Sequence, residues 1–366
     1  MTTFQKRRQQ LAAKLNEVAA DAILISDLNN IRYLTGFTGT AAYLLISPQQ
    51  QILASDARYT IQLEQECPGL EIDIRDVASS LLDSADRLVK SFGWQQLAIE
   101  SGHLSKADFD ELQTRMPSVK LVGTTQVVQR LRMIKDESEV AAIRKSIQIN
   151  ELAFQNAVAA ATPQQTEREF GFVLEAEMRN LGAQGFAFDP IVGVGPRAAL
   201  PHARPSDFKL GSASNFLVDW GANVNGYLSD LCRMVITGDP EPKFVEIYEI
   251  VLRAQMAAIE QIRPGVEARA VDQVARSVIE AAGFGEFFQH GTGHCFGLEI
   301  HENPYISPSS DTILAPGMVL TIEPGIYLPK IAGVRIEDDV LVTDSGYEVL
   351  SNLPKALEQC LVRLGG

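Results

Sequence analysis

Four carboxylates and one imidazole, each set in a short apolar or glycine-rich segment, constrain this chain more than any other feature. They are Asp219, Asp230, His294, Glu323 and Glu337, spread over about 120 residues of the C-terminal half. A carboxylate in apolar surroundings is costly unless it meets a partner, so the fold must bring these distant segments together. Hard oxygen donors with a single nitrogen suit two divalent ions such as Mn2+, Co2+ or Zn2+. Two such ions a few ångströms apart hold a hydroxide at neutral pH and clamp a scissile carbonyl. The pattern points to a metallohydrolase.

A chain of 366 residues is long enough for two domains or one large one. Its hydrophobic fraction of 46% and charged fraction of 21% are those of a soluble globular protein. A formal net charge of -14 argues against a phosphate-binding surface, which needs clustered Lys and Arg. The longest basic run is Lys6-Arg7-Arg8, read as a solvated face of an N-terminal helix. Cys67, Cys232, Cys295 and Cys360 lack CxxC spacing, so reduced thiols are expected rather than a structural zinc site or a disulfide framework. Lys14, Glu17 and Asp21 break any signal-peptide core, and no segment reaches the length of a membrane span. The expectation is a cytoplasmic protein with neither a nucleic-acid nor a membrane partner.

The first third alternates helix and strand. Residues 4–20 read as an amphipathic helix, and 22–26, 42–47, 51–55, 71–74 and 96–100 as strands, with helices over 57–67 and 81–92. This alternation predicts a layered α/β domain over residues 1–128. The boundary falls near 124–133, and residues 129–366 form the second domain. There Lys135-Asp136-Glu137-Ser138-Glu139 opens a long helix with acids at its positive end, continued by Val140, Ile143, Ile147 and Leu152. An internal repeat with an offset of 101 relates Pro163 to Pro264, Val173 to Val274 and Gly182 to Gly283. Each pair frames a proline turn, a helix, a glycine stop and an apolar strand, and Thr166 with Glu169 forms a capping box in the first copy. Two related α/β halves place a site in the cleft between them.

The chemistry sits in four segments. Residues 216–219 are an apolar run ending on Asp219, and Asn223 to Gly226 (NVNG) signals a hairpin that puts Asp219 and Asp230 on paired strands. Three of the five histidines, His290, His294 and His301, fall within twelve residues of a glycine-rich stretch. A dinucleotide-binding reading of Gly291-x-Gly293 fails for want of the third glycine, and an HExxH reading of His301-Glu302 fails because Pro304 breaks the helix it needs. Glu323 interrupts an apolar strand before Pro324-Gly325, and Arg335 and Glu337 share one face of another strand. An ion pair between Glu337 and Arg335 is the alternative for that pair, and it leaves Glu323 unexplained. Finally, the glycine- and proline-rich residues 190–201 deliver His202.

With Asn30-Ile31-Arg32-Tyr33-Leu34-Thr35-Gly36-Phe37 and Asp56-Ala57-Arg58-Tyr59 in the first third, these segments resemble the Xaa-Pro peptidases, prolidase and aminopeptidase P, over nearly the whole chain. The resemblance implies a creatinase-type N-terminal α/β domain and a pita-bread catalytic domain with pseudo-twofold halves. It implies a dinuclear centre in which Asp230 and Glu337 bridge both metals, Asp219 chelates one ion, and His294 and Glu323 bind the other. His202 and His301 match substrate-contacting positions, and Arg335 a cleft arginine beside the bridging glutamate. The implied activity is hydrolysis of the bond between an N-terminal residue and proline in small peptides, with two divalent ions, Mn2+ foremost. Glu323 would be the proton shuttle and a homodimer the assembly. Cys232 and Met234 stand where the family usually has Thr, and Cys295 where glycine usually follows the ligand histidine. These departures alter the groups around the ligands, and two thiols near the metals imply sensitivity to thiol reagents. A creatinase-like C–N hydrolase without metal and a catalytically silent pita-bread binding module are the competing readings. The five retained ligands weigh against both.

Overall fold

The first helix forms because Thr2 caps it. The Thr2 hydroxyl accepts from the Gln5 backbone N–H while the Gln5 side chain accepts from the Thr2 backbone N–H, and α1 (Thr3–Ala13) follows. It ends earlier than the periodicity over 4–20 predicts. A 3-10 turn over Leu15–Val18 leads to Ala19 at φ 50°, a left-handed residue that stops a right-handed helix. The basic run on α1 is a solvated face at Lys6 alone. Arg7 and Arg8 are each 5% exposed and donate to the carbonyls of Tyr33 and Leu34, near the negative C-terminal end of the second helix.

In this computed structural model, which describes residues 2–365, the chain divides into two units, Met1–Arg132 and Met133–Gly366. The first unit continues with β1 (Ala22–Ile25), α2 (Leu28–Thr35), β2 (Tyr43–Ile46), β3 (Gln51–Asp56), α3 (Thr60–Glu66) and β4 (Glu71–Arg75). After these come α4 (Leu81–Phe92), β5 (Gln96–Glu100), α5 (Lys106–Arg115), β6 (Lys120–Thr124) and α6 (Val127–Arg132). The strands form one sheet in the order β4-β3-β2-β1-β5-β6, with β1–β5, β5–β6 and β3–β4 parallel. Leu24, Leu45, Ile52 and Leu97 of the sheet pack with Ala85, Leu88 and Val89 of α4. This is the layered α/β arrangement that strand-helix alternation predicts.

The second unit opens with α7 (Glu137–Ala159), capped by Asp136 and Glu139 in a reciprocal box. Its buried stripe runs through Ile143, Ile147, Asn150, Phe154 and Ala157. Leu152, expected on that stripe, is 45% exposed, because two positions beyond Asn150 is about 200° round the helix. Next come α8 (Glu167–Asn180), β7 (Gly185–Phe186), β8 (Ile191–Val194), β9 (Asn215–Trp220), β10 (Ala222–Val224), β11 (Tyr227–Leu228) and β12 (Leu231–Ile236). The second copy brings α9 (Pro242–Gln261), α10 (Ala268–Ala281), β13 (Gly293–Cys295), β14 (Glu302–Ile306) and β15 (Val319–Ile322). The chain then forms β16 (Gly325–Leu328), β17 (Ala332–Arg335), β18 (Asp338–Val342) and β19 (Tyr347–Val349).

The internal repeat is structural. Both bounds of α8 and α10 differ by 101, as 167 against 268 and 180 against 281. Gly182 and Gly283 follow them at φ 102° and 85°. In the first copy Phe154, Phe170 and Leu174 pack on Val192, Phe216, Val218 and Trp220 of the β12-β9-β8 sheet. In the second, Ile247, Val251, Ala275 and Ile279 pack with Leu320, Ile322 and Val340 of the five-stranded sheet β14-β13-β15-β18-β19. Among the described residues no helix is long and apolar enough to cross a membrane.

Gly333 of β17 touches the short 3-10 segment Gly195–Ala199 so closely that an added Cβ would lie 2.0 Å from the Ala198 carbonyl oxygen. Gly333→Ala must push backbone apart, at about 1–3 kcal/mol. The unfolding temperature should fall by roughly 2–4 °C for each kcal/mol lost. An unchanged transition in a thermal melt would contradict this packing.

Candidate metal centre and active site

Asp219 and Asp230 are placed by a hairpin. Val224 pairs with Tyr227 across the two-residue turn Asn225-Gly226, whose φ values of 50° and 78° are those a tight hairpin with mirror-image turn geometry needs. β9 and β12 then pair antiparallel, with Asp219 opposite Cys232. Side chains alternate along a strand, so Asp219, Cys232 and Asp230 lie on one face, and the two acids are diagonal rather than direct neighbours.

Glu323 and Glu337 are not inside strands, contrary to the sequence expectation. β15 pairs with β18 up to Ile322↔Asp338, and β16 pairs with β17 from Gly325↔Arg335. Glu323-Pro324 and Ile336-Glu337 occupy the bend between these two ladders. Pro324 has no N–H to give to a ladder, which accounts for the break. The Glu337 N–H instead donates to the Cys232 carbonyl at 3.2 Å, tying the bend to β12. His294 sits in β13 at a register shift between His294 and Cys295.

The bend, the hairpin and the bulged strand converge. Ligand atoms of Asp219, Asp230 and Glu337 all lie within 4.8 Å of one another, and all three residues are buried. His294 Nε2 is 3.6 Å from Asp230 Oδ2 and 3.4 Å from Glu323 Oε1. His294 Nδ1 lies 3.0 Å from the Cys295 carbonyl, which only accepts, so Nδ1 carries the proton and Nε2 presents a lone pair. Burial pushes the His294 pKa down to about 4, so the ring is neutral at pH 7. Burial, then the charge of Asp219 and Glu323, pushes the Asp230 carboxyl well above its usual range; burial and Asp230 do the same to Glu337. Burial raises Glu323 as well. Asp219 Oδ1 and Glu337 Oε2 are buried without a hydrogen-bond partner. Acceptors facing acceptors in a buried place is an arrangement that cations resolve, and four carboxylates with one imidazole are the donor set of divalent ions. The residues fit a divalent metal centre.

Arg335, 3% exposed, pairs with Asp219 Oδ2 and not with Glu337. It also donates to the Tyr327 hydroxyl at 2.7 Å and to the Pro201 carbonyl at 3.2 and 3.3 Å. The cleft has a volume of about 470 Å3, and His202 and His301 are exposed on its wall. The His301 ring lies 4.5 Å from that of His294, edge to face. Three further residues, His290 on this wall and Tyr327 and Thr321 behind it, were not among the expected site residues. His290 Nε2 is 2.9 Å from the Tyr327 hydroxyl, and the Thr321 hydroxyl donates to Glu323 at 3.3 Å while accepting from the His294 N–H at 3.1 Å. The histidine cluster contained a signal for His290. Thr321 and Tyr327 carried none, since their partners are set by strand register.

The thiols do not behave as expected. Cys232 and Cys295 are 0% exposed. Burial pushes the Cys295 thiol up to about 12 and Cys232 well above its usual value, so neither offers a thiolate.

Two regions of the chain match known families. Residues 141–344 match metallopeptidase family M24, and residues 7–134 match the creatinase/prolidase N-terminal domain. The Xaa-Pro dipeptidase of Pyrococcus horikoshii is 36% identical over 358 residues, covering 98% of this chain and 100% of the relative. Among solved structures, an Xaa-Pro dipeptidase from Bacillus anthracis has a TM-score of 0.93 at 37% identity, covering 99% of this chain and 100% of that one. An X-Pro aminopeptidase from Thermotoga maritima has a TM-score of 0.87, also at 37% identity, covering 95% and 98%. Equal identity to a dipeptidase and an aminopeptidase leaves the choice between them to the cleft itself.

Two outcomes follow from the geometry. None of the four cysteines should react with a thiol reagent in the folded protein, and all four should in denaturant; rapid native labelling of Cys232 or Cys295 would refute their burial. The second concerns pH. The Asp230 and Glu337 carboxyls have folded pKa values above their unfolded ones, so their contribution is favourable below the unfolded value and is lost as pH rises through the folded one. In chelated protein, Asp230→Asn should therefore melt higher than wild type at about pH 8, by a few degrees, with the gap closing toward about pH 5. Added Mn2+ should raise the wild-type transition and leave the variant nearly unmoved. A variant that melts lower than chelated wild type at the higher pH would count against the acid cluster.

Proposed function

This chain belongs to metallopeptidase family M24, and on that premise we propose that it is an exopeptidase cleaving the bond between an N-terminal residue and proline. The observation that carries the reading is the convergence of Asp219, Asp230 and Glu337, with two of their oxygens left unpartnered, beside the His294 lone pair. Asp230 and Glu337 would be shared between two divalent ions, Mn2+ before Co2+ or Zn2+, with Asp219 on one and His294 and Glu323 on the other. Bound there, the ions would lower the pKa of water from about 15.7 toward neutrality and polarise the scissile carbonyl.

The chain's own groups do the rest. Glu323, raised by burial and held by the Thr321 hydroxyl, accepts a proton from the attacking water and hands it to the departing imino nitrogen of proline. Partial burial of its ring and the neighbouring His294 lower the His301 pKa, and the ring offers an N–H to the oxygen on which charge develops. His202, on the same wall, contacts the substrate beside the scissile bond. Arg335 holds Asp219 in place and ties it to Pro201, the residue before His202. A cytoplasmic homodimer acting on small peptides completes the proposal.

The test uses protein stripped of metal and then given Mn2+ or Zn2+. Ala-Pro or Ala-Pro-Ala should be cleaved only after metal is restored, and Ala-Ala should be a much poorer substrate. Absence of proline-dependent cleavage with either metal would overturn the reading.

A further inference from the structure

Two guanidinium groups line the cleft, Arg335 and Arg204. Arg335 is committed to Asp219, Tyr327 and the Pro201 carbonyl. Arg204 is not: among the described residues its exposed guanidinium has no hydrogen-bond or ion-pair partner. The remaining charged groups of the wall are acidic, with Asp189 at the rim joining the four carboxylates of the metal centre. Outside the metal centre, Arg204 is the cation of this wall that no protein group among the described residues engages, so it is the place where an anionic group on a ligand finds an unpaired charge.

The segment that carries Arg204 is anchored. Glu167, 0% exposed, accepts from the Val194 N–H at 2.8 Å, from Arg197 Nε at 2.9 Å and from the Ser206 N–H at 2.8 Å. Arg197 Nη2 in turn donates to the Arg204 carbonyl at 2.8 Å. Ala203, 4% exposed, is buried between His202 and Arg204, so both of those side chains stay on the cleft wall.

We infer that Arg204 binds the free C-terminal carboxylate of the substrate and so selects Xaa-Pro dipeptides over longer or amidated peptides. The inference rests on the Xaa-Pro reading above. In a dipeptide the carboxylate is joined to the carbon next to the imino nitrogen that leaves, close to His202. The planar fork of Arg matches a carboxylate bidentately. In a tripeptide that position is a neutral amide, and the charge lies about 3.5 Å farther along the chain.

The experiment compares Ala-Pro, Ala-Pro amide and Ala-Pro-Ala with metal-loaded wild type, Arg204→Gln and Arg204→Lys. Wild type should favour Ala-Pro. Arg204→Gln should lower the ratio of kcat/KM for Ala-Pro over its amide by about 10- to 100-fold, mainly through KM, the worth of a charge-assisted pair. Arg204→Lys should keep part of the ratio. Because the amide is an internal control, misfolding or poor metal loading lowers both rates and leaves the ratio alone. An unchanged ratio in Arg204→Gln, or a wild type indifferent to the terminal charge, overturns the role of Arg204 and leaves the Xaa-Pro reading standing. Cleavage of none of the three by wild type overturns that reading, and this inference with it.

Discussion

Like charges resist being buried together, and this fold gathers four carboxylates into one cleft. Much of the second unit is arranged around that constraint. Behind the cleft, Arg233, 2% exposed, donates to the carbonyls of Cys232 and Glu337 and to Asp338 Oδ1 at 2.6 Å. It therefore holds together the two backbones that carry Asp230 and Glu337. Burial works to raise the Asp338 carboxyl, but Arg233 and Lys355 outweigh it and keep the group below its ordinary range. The next residue, Asp339, forms no ion pair among the described residues, and burial outweighs the pull of Arg233 and pushes it well above its ordinary range. Two adjacent acids thus differ because one has a guanidinium and an ammonium within reach. Breaking a buried pair of this kind strands a charge, which costs far more than the pair contributes.

What the sequence made legible was local or periodic. Asn225-Gly226 announces a tight hairpin, Asp136 with Glu139 and Thr166 with Glu169 announce helix starts, and an offset of 101 announces two related halves. What it hid depends on partners far along the chain. Arg7 and Arg8 look like a basic surface because the carbonyls that bury them are 26 residues away. The bend at Glu323 and Glu337 comes from two separate ladders meeting, which alternation along one strand cannot reveal. Arg335 chooses Asp219, 116 residues distant, over Glu337 two positions away, because successive odd positions diverge once the strand breaks. Leu152 failed for a simpler reason: apolar residues also occur on exposed helix faces.

The departures from the family pattern can now be placed. The Cys232 thiol faces the Arg335 carbonyl at 3.5 Å, on the same side of the sheet as Asp219. A thiol is a weak donor, and Asp219 Oδ1 has no hydrogen bond. The Cys232 thiol is spent on that carbonyl, and Asp219 Oδ1 stays open to a cation. Cys295 is a packing residue of the hydrophobic core, with its carbonyl doing the work of orienting His294.

The fastening of residues 194–206 by Glu167 bears on the thermodynamics of recognition. A loop that is already ordered does not have to surrender conformational freedom when a ligand arrives, so little of the contact energy is diverted into organising the receptor. Small peptides offer few contacts, and a wall set in advance lets those few count.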